Sequence, residues 1–276
     1  VSEERQVRFL YGAGVLATTA FCLAPVVFMA MTAFSGRPDF LAPGVGFSPT
    51  LDAFRDLLAT ESLHFPAYLR NSLVASGASA LLCVAVASPA AYALTRFAIP
   101  GRMTVLFLVL AVSMFPQVSL VGYLFKLMGA LGWINTLQAL ILPYTAWILP
   151  LSLWILTGYF AQVPGDLDRA ALVDGCGRLG ALRRVILPVA APGIFSTGLL
   201  AFIFAFNEFL FALLLTTDHH ARTVPVGIAL FQGLHGEIPW GTVMAAATLS
   251  TVPVVALTLL FQRRILQGLT RGAVKG

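Results

Sequence analysis

Apolar residues run through this chain in long blocks with no period-2 alternation. Stretches 9–36, 71–95, 103–125 and 127–165 contain no Asp, Glu, Lys or Arg. A hydrocarbon core of ~30 Å takes about 20 residues of helix to cross, and each block is at least that long. Strands of a membrane barrel would show alternation at every second residue, and these blocks are apolar all round. The pattern predicts an all-α membrane protein with six transmembrane helices, near 9–34, 71–95, 103–125, 136–160, 193–217 and 241–262, in one membrane domain spanning 1–276. The run 127–165 is too long for one span, so its first part, including Gly132 and Trp133, is expected to form an outer turn.

Composition agrees. Hydrophobic residues make up 58% of 276 and charged residues 11%, against about 25% charged in soluble domains. The basic residues orient the helices. Arg5, Arg8, Arg96, Arg102, Arg169, Arg178, Arg183, Arg184, Arg263, Arg264, Arg271 and Lys275 fall on one side, and Arg37, Arg55, Arg70, Lys126 and Arg222 on the other. The richer side is cytoplasmic by the positive-inside rule. Both termini and the 161–192 loop are therefore expected in the cytoplasm. The net charge of +5 reads as topology, and no nucleic-acid surface is expected. The first block lacks a small-residue cleavage site and reads as a retained span. Cys22 and Cys83 fall in spans and Cys176 in the cytoplasm, with neither disulfide nor metal-ligand spacing.

Two polar connections carry readable elements. In the outer loop, Ser48-Pro49-Thr50 supplies helix-start chemistry. Leu51, Phe54, Leu57 and Leu58 follow as an apolar stripe, with Asp52, Arg55, Asp56 and Glu61 off that face. This predicts an amphipathic helix on the bundle or membrane surface, with contact to a soluble outer partner as the functional reading. The 161–192 loop is far longer than a simple connection needs. Leu167, Ala170, Ala171 and Asp174 predict a short helix with a small-residue face, closed by Gly175, which can take φ > 0. Asp174 can cap the next turn or meet a basic group. Leu179, Leu182, Val185 and Ile186 are expected to pack back on the membrane domain, with Pro188 and Pro192 marking entry to the next span.

At this segment the chain resembles the EAA loop of ATP-binding-cassette importer permeases. The family pattern is Glu-Ala-Ala, two residues, Asp-Gly-Ala, five residues, an aromatic, two residues, an aliphatic, one residue, Leu-Pro. Here those places hold Arg169-Ala170-Ala171, Asp174-Gly175-Cys176, Leu182, Val185 and Leu187-Pro188. The spacing is kept throughout; the first acid has become Arg169, although Asp168 precedes it, and the aromatic has become Leu182. Phe206-Asn207-Glu208-Phe209 is similar to the Trp-Asn-Glu/Asp-Phe region of sugar permeases. The C-terminus, through Gly268, Leu269, Thr270, Gly272, Val274, Lys275 and Gly276, is similar to the tail of maltose- and trehalose-type permeases of the smaller, six-helix kind.

The resemblance implies the membrane subunit of an ATP-driven importer of a di- or oligosaccharide. The 161–192 loop would dock on a cytoplasmic ATPase dimer and the tail 263–276 would reach the interface between its subunits. It also implies a homologous second permease subunit, an external solute-binding protein and surrounding lipid. No phosphate-cradling Gly-x-x-x-x-Gly-Lys-Ser/Thr loop is present. The chain is therefore not read as an enzyme and binds no cofactor of its own; ATP and Mg²⁺ belong to the partner.

Candidates for the sugar path are Asn207, Glu208, Gln117 and Asn71. Glu208 is the one acid placed inside a span, where an ionisable group faces a cavity or a partner. A buried clasp is the competing role for it. Pro116, Pro143 and Pro150 read as kinks. His219 and His220, without a third donor at useful spacing, read as solvated rather than as metal ligands. Two alternatives stay open: an ion-coupled secondary transporter, for which one Glu is thin support, and a permease for another solute such as glycerol phosphate. No nucleophile–base arrangement suggests a membrane enzyme.

Overall fold

The structure, a computed structural model, describes residues 2–36, 48–231 and 238–273, with side chains described for 4–36, 48–231 and 238–262. Its contacts divide the chain into two units: Val1–Phe65 with Gly227–Val252, and Pro66–Val226 with Pro253–Gly276. Among the described residues the only pairing of strand type is one isolated bridge, between Ser35 and Pro49; the remainder is helix, turn and loop.

The first unit holds α1 (Ser2–Ala33), an apolar helix with Pro25 inside it and Phe9, Leu16 and Phe21 exposed, followed by α2 (Asp52–Ala59) and a 3₁₀ turn at Glu61–Leu63. The Ser35–Pro49 bridge closes the entry to α2 through Thr50 N–H donating to Phe34 O at 2.8 Å and Gly36 N–H to Ser48 O at 3.0 Å. Thr50 Oγ1 accepts from Asp52 N–H, the helix-start chemistry expected of this segment. Phe54 packs on Phe34 with ring centroids 4.8 Å apart, and Leu57 is fully buried. The expected four-residue stripe is incomplete, because Leu51 and Leu58 are more than half exposed. Leu51 precedes the helix, and Leu58 sits about 100° around it from Leu57, a consequence of 3.6 residues per turn.

The second unit is built on α3 (Phe65–Arg96), which begins six residues before the expected span. It continues with α4 (Arg102–Ser113), α5 (Gln117–Ala130) and α6 (Gln138–Gln162). Next come α7 (Gly165–Val173), α8 (Arg178–Ala181), a π turn at Leu182–Ile186 and α9 (Leu187–Val189). The chain then forms α10 (Ala191–Phe206), α11 (Leu210–Leu215), α12 (Val224–Ala229) and α13 (Trp240–Ala273), the last two belonging in part to each unit.

Among the described residues four helices are long and apolar enough to cross a membrane, and two bent pairs bring the number to six if each is one span. The expected third span, 103–125, is therefore not one rod. It breaks before Pro116 and turns by 83° between α4 and α5, because Pro lacks the N–H that would continue the ladder. The fifth, 193–217, is interrupted at Asn207, Glu208 and Phe209, between α10 and α11. The chain also bends by 79° where the segment Arg178–Val189 meets α10. The sixth continues past 262 as backbone helix to Ala273. Gly268, Leu269, Thr270 and Gly272 lie on that helix with side chains outside the described residues. Val274, Lys275 and Gly276 lie outside them altogether.

Two apolar clusters hold the second unit. One joins Ala75, Ala80 and Cys83 of α3 to Leu140, Tyr144 and Ile148 of α6, Phe202 and Phe206 of α10, and Phe211 and Leu215 of α11. The other joins Ala87, Ala91 and Tyr92 to Leu106, Leu156, Phe160, Leu182 and Ile186. Small residues on α3 let neighbouring helices approach closely, which is how helices pack in lipid, where apolar burial alone gives no advantage. Glycine at C′ closes two helices in the same way. After α5, Gly132 at φ +68 places its own N–H on Gly129 O and Trp133 N–H on Met128 O, forming a Schellman turn where the outer turn was expected.

The tightest approach is Gly193 of α10 against Tyr159 of α6: a Cβ at 193 would fall 2.4 Å from Tyr159 Cγ, the root of the ring. Gly193→Ala is expected to cost about 1–3 kcal/mol by overpacking, read as a lower Tm of the purified protein; an unchanged Tm would contradict this packing.

Candidate functional site

The broken helices build a cavity. Gln117, the first residue of α5, lies just beyond the Pro116 break, and Asn207, Glu208 and Phe209 form the break between α10 and α11. With Tyr144, Trp147 and Ile148 of α6, and with Phe204, Leu210 and Phe211, they line a space of ≈ 350 Å³. That is within the range of about 300–1,000 Å³ usual for small-molecule sites. Trp147 stands edge-on to Phe211, with centroids 6.3 Å apart and planes at 86°. The wall thus combines aromatic faces with an amide from each break, a carboxylate and a phenol. The Tyr144 side chain is buried, with its hydroxyl beside the side chains of Glu208 and Thr223.

Within the cavity wall the polar groups divide their roles. Glu208 Oε1 accepts from Phe211 N–H at 2.9 Å and Oε2 from Ala212 N–H at 3.2 Å. A helix start leaves its first N–H groups without partners, and at membrane depth water does not supply them. Glu208 supplies two acceptors and sets its negative charge at the favourable end of α11. It does this while facing the cavity, so the clasp and the cavity wall share one position. Asn207 Nδ2 donates to Ile203 O at 2.8 Å, back along its own helix, and its side chain is otherwise exposed toward the cavity.

Asn71 stands apart from this cavity. It is fully buried, and the cavity lining does not include it. Its Nδ2 donates to His219 O at 2.9 Å and to Arg222 O at 3.0 Å, and its Oδ1 accepts from Arg70. Next to it Ser72 Oγ accepts from Val224 N–H at 2.8 Å. The head of α3 thereby clamps the loop that follows α11. The turn after α5 grips the same loop: Asn135, at φ +63, donates through Nδ2 to Asp218 Oδ1 and accepts at Oδ1 from Thr217 and Asp218 N–H. Sequence spacing alone could not pair residues about 80 and 150 positions apart. In this loop Asp218 also brings a third donor within 4.8 Å of those of His219 and His220, where spacing suggested none. Its carboxyl is held below the usual range by the Asn135 amide and then the His220 N–H, so the group is already committed to fixing the loop.

The second functional element is α7 and its close. Asp174 ends the helix with its N–H on Ala170 O. Gly175, at φ +82, donates to Leu172 O at 3.1 Å, and Cys176 to Ala171 O at 3.0 Å. This is the Schellman pattern, and the left-handed region it needs favours glycine. Cys176 then faces Gly180, with 3.5 Å from its Cβ to a Cβ built there. The two sides of α7 differ sharply. Asp168 and Ala171 are buried; Arg169, Ala170, Leu172, Val173 and Asp174 are exposed, Val173 by 87%. Arg169 pairs with Asp166 on the open side, an exposed pair of small energetic weight.

The remaining motif residues mostly face inward. Leu182 and Ile186 are buried, and Val185 and Leu187 pack against the same cluster. The π turn has Leu187 N–H on Leu182 O and leads into Pro188, which has no N–H to offer the ladder. Leu179, expected in this buried stripe, is instead 59% exposed, because it lies on the outward side of the single turn of α8. It joins Leu172 and Val173 among the exposed apolar residues of this segment. Asp168 stood in the sequence only as a neighbour of the altered motif position; the structure makes it the inward acid of α7.

Known proteins resemble the chain over its full length. It is 54% identical to the trehalose/maltose transport system permease protein MalG of Thermococcus litoralis, over 99% of both chains. It is 38% identical to the sulfoquinovosyl glycerol transport system permease protein SmoH of Agrobacterium fabrum, over 99% of this chain and 94% of that one. With the trehalose transport system permease protein SugB of Mycobacterium tuberculosis it shares 41% identity over 82% of each. A crystal structure of a bacterial ABC transporter involved in the import of the acidic polysaccharide alginate has a chain of the same fold, at TM-score 0.77 and 19% identity, covering 94% of this chain and 97% of that one. Residues 84–271, which hold both the cavity wall from α6 to α11 and the Gly175-closed helix, match the binding-protein-dependent transport system inner membrane component, and the chain belongs to that family.

Proposed function

We propose that this chain is the six-span permease subunit of an ATP-driven sugar importer and lines half of a path for a disaccharide of the trehalose or maltose type. The observation that carries the coupling half of the reading is α7, a two-and-a-half-turn helix closed by a left-handed glycine. Its face of Ala170, Leu172, Val173 and Asp174 is exposed. Small and apolar residues on a short helix suit insertion into a cleft of another subunit. The direction of the basic residues supports a cytoplasmic position for this face, where an ATPase dimer would receive it. The energy then comes from ATP and Mg²⁺ in that partner.

The sugar half rests on the cavity. Amide and carboxylate groups exchange hydrogen bonds with hydroxyls, and the face of half-buried Trp147 suits the apolar side of a sugar ring. The substrates named for the relatives, trehalose and maltose among them, support a disaccharide. A homologous second permease would complete the path, an external binding protein would deliver the sugar, and the C-terminal tail would reach the ATPase. Uptake of labelled trehalose and maltose by the reconstituted complex tests this: transport of either that requires ATP and survives collapse of the proton gradient is expected, and ATP-independent uptake driven by an ion gradient would overturn it.

The Gly175→Val variant should uncouple or disassemble the complex, because a β-branched residue resists φ > 0 and thickens the docking face. Wild-type assembly together with normal substrate-stimulated ATP hydrolysis would remove α7 from coupling.

Within the cavity, Gln117→Ala is expected to cut uptake per assembled complex with little change in Tm, since Gln117 lines the cavity from the first position of α5. Glu208→Leu is expected to do both, leaving two N–H groups of α11 without acceptors at about 1–3 kcal/mol each, whereas Glu208→Gln keeps one acceptor and most of the stability. Full uptake per complex in Gln117→Ala and Glu208→Leu together would place the path elsewhere.

A further inference from the structure

Where α6 ends, three elements meet at one buried cation. Arg96, in the last turn of α3, has 13% of its side chain exposed, and Asp168 of α7 has 8%. Their Nε and Oδ2 atoms lie 2.7 Å apart. The other carboxylate oxygen, Oδ1, accepts from the Tyr92 hydroxyl at 2.8 Å. Arg96 Nη2 donates to the carbonyl of Val163 at 2.6 Å, the residue that caps α6. One guanidinium thus holds the last carbonyl before Pro164 and a carboxylate four residues beyond it. The only covalent path from α6 to α7 is Val163-Pro164, and both sides of that joint are gripped from α3. The Phe97 ring continues the contact, edge-on to Tyr92 at 6.1 Å and with the Arg178 guanidinium 5.1 Å above it, which brings in α8.

We propose that Asp168 and Arg96 form a latch that makes α7 move as one body with α3 and the end of α6, so that displacement of the docking face is delivered to α6, which walls the cavity, and to α3, which packs on α6. The inference rests on the coupling reading of α7. The arrangement supports a transmitting role for three reasons. α7 has nine residues and too little apolar surface to fix its own direction; its inward face consists of Ala171, Asp168 and half-buried Leu167. Breaking a buried pair by removing one partner leaves the other charge uncompensated, so the joint resists opening under load. Finally, α6 bears Tyr144 and Trp147 of the cavity wall, and α3 shares an apolar cluster with it. Asp168 and Arg96 are positioning residues, acting through other elements and touching no sugar.

The test uses the complete complex, with partner permease, ATPase and binding protein, reconstituted in vesicles. Three quantities are read: assembled complex, Tm, and sugar transported per ATP hydrolysed. Asp168→Asn keeps the shape and the Tyr92 hydrogen bond and removes the charge. It is expected to assemble with the ATPase while transport per ATP falls about tenfold, the scale of a coupling free energy between sites. Arg96→Gln is expected to do the same, and the double variant to be no worse than either single one. Tyr92→Phe leaves the ion pair and keeps most of the ratio. Normal transport per ATP in Asp168→Asn overturns the latch, as does a loss of uptake that only tracks loss of assembled complex. Should Asp168→Asn fail to assemble, Arg96→Lys, which retains charge but cannot hold both Asp168 and Val163, is read by the same criteria. If the ATPase fails to associate with the wild-type chain, the coupling reading fails, and that result is distinct from an intact complex in which Asp168→Asn transports normally.

Discussion

Backbone polar groups inside a membrane must find partners within the protein, and the second unit is organised around that constraint. Continuous helices meet it without side chains. Each interruption needs a specific one, so the polar residues of this apolar chain gather where helices stop. Pro116 ends one ladder without leaving an N–H; Glu208 caps the helix that restarts after Asn207 and Phe209; Gly132 and Gly175 turn the chain at φ near +70 to +80 so that the last carbonyls of α5 and α7 are used. The cavity exists because two such interruptions, at 114–116 and 207–209, face the same stretch of α6. A bundle of six unbroken rods would place apolar side chains there and leave no polar wall for a hydroxylated solute.

The same economy explains the ends of the unit. On one side, Asn71 and Asn135 use nearly all of their amide capacity to hold the 216–224 loop, so the connection after α11 is fixed from α3 and from the turn before α6. On the other side, one Arg96–Asp168 pair fixes α7 against α3 and α6. The structure is therefore stiff at both ends of the cavity and interrupted in the middle. That distribution suits a path that changes its opening while its attachment points to other subunits keep their shape, since hinge positions are element ends that absorb backbone change.

Much of this was legible in the sequence. The charge-free blocks located the helices, and the loop 161–192 announced its glycine-closed helix through Ala170-Ala171 and Asp174-Gly175. What was not legible is instructive. Pro116 promised a kink, yet its 83° turn depends on α5 finding contacts with α11, which no local pattern records. Asn71, a path candidate at the head of a span, donates its amide to backbone carbonyls some 150 residues away. Leu179 fitted an apolar stripe drawn on an unbroken helix, and the π turn at Leu182–Ile186 shifts that register. Asp168 carried a signal that spacing could reach: in a helix whose other residues face outward, the acid three before Ala171 shares its buried face.

The account centres on α7 presenting its open face to a separate ATPase. Its most direct test is a cysteine placed at Val173, the most exposed apolar position of that helix, in a chain whose Cys22, Cys83 and Cys176 are replaced. Paired with cysteines in the cleft of the ATPase subunit and exposed to a short thiol crosslinker in native membranes, it is predicted to give a crosslinked permease–ATPase species whose yield changes when ATP binds. An assembled complex in which Val173→Cys never crosslinks to the ATPase, while a cysteine on the opposite side of the membrane does, would contradict the account.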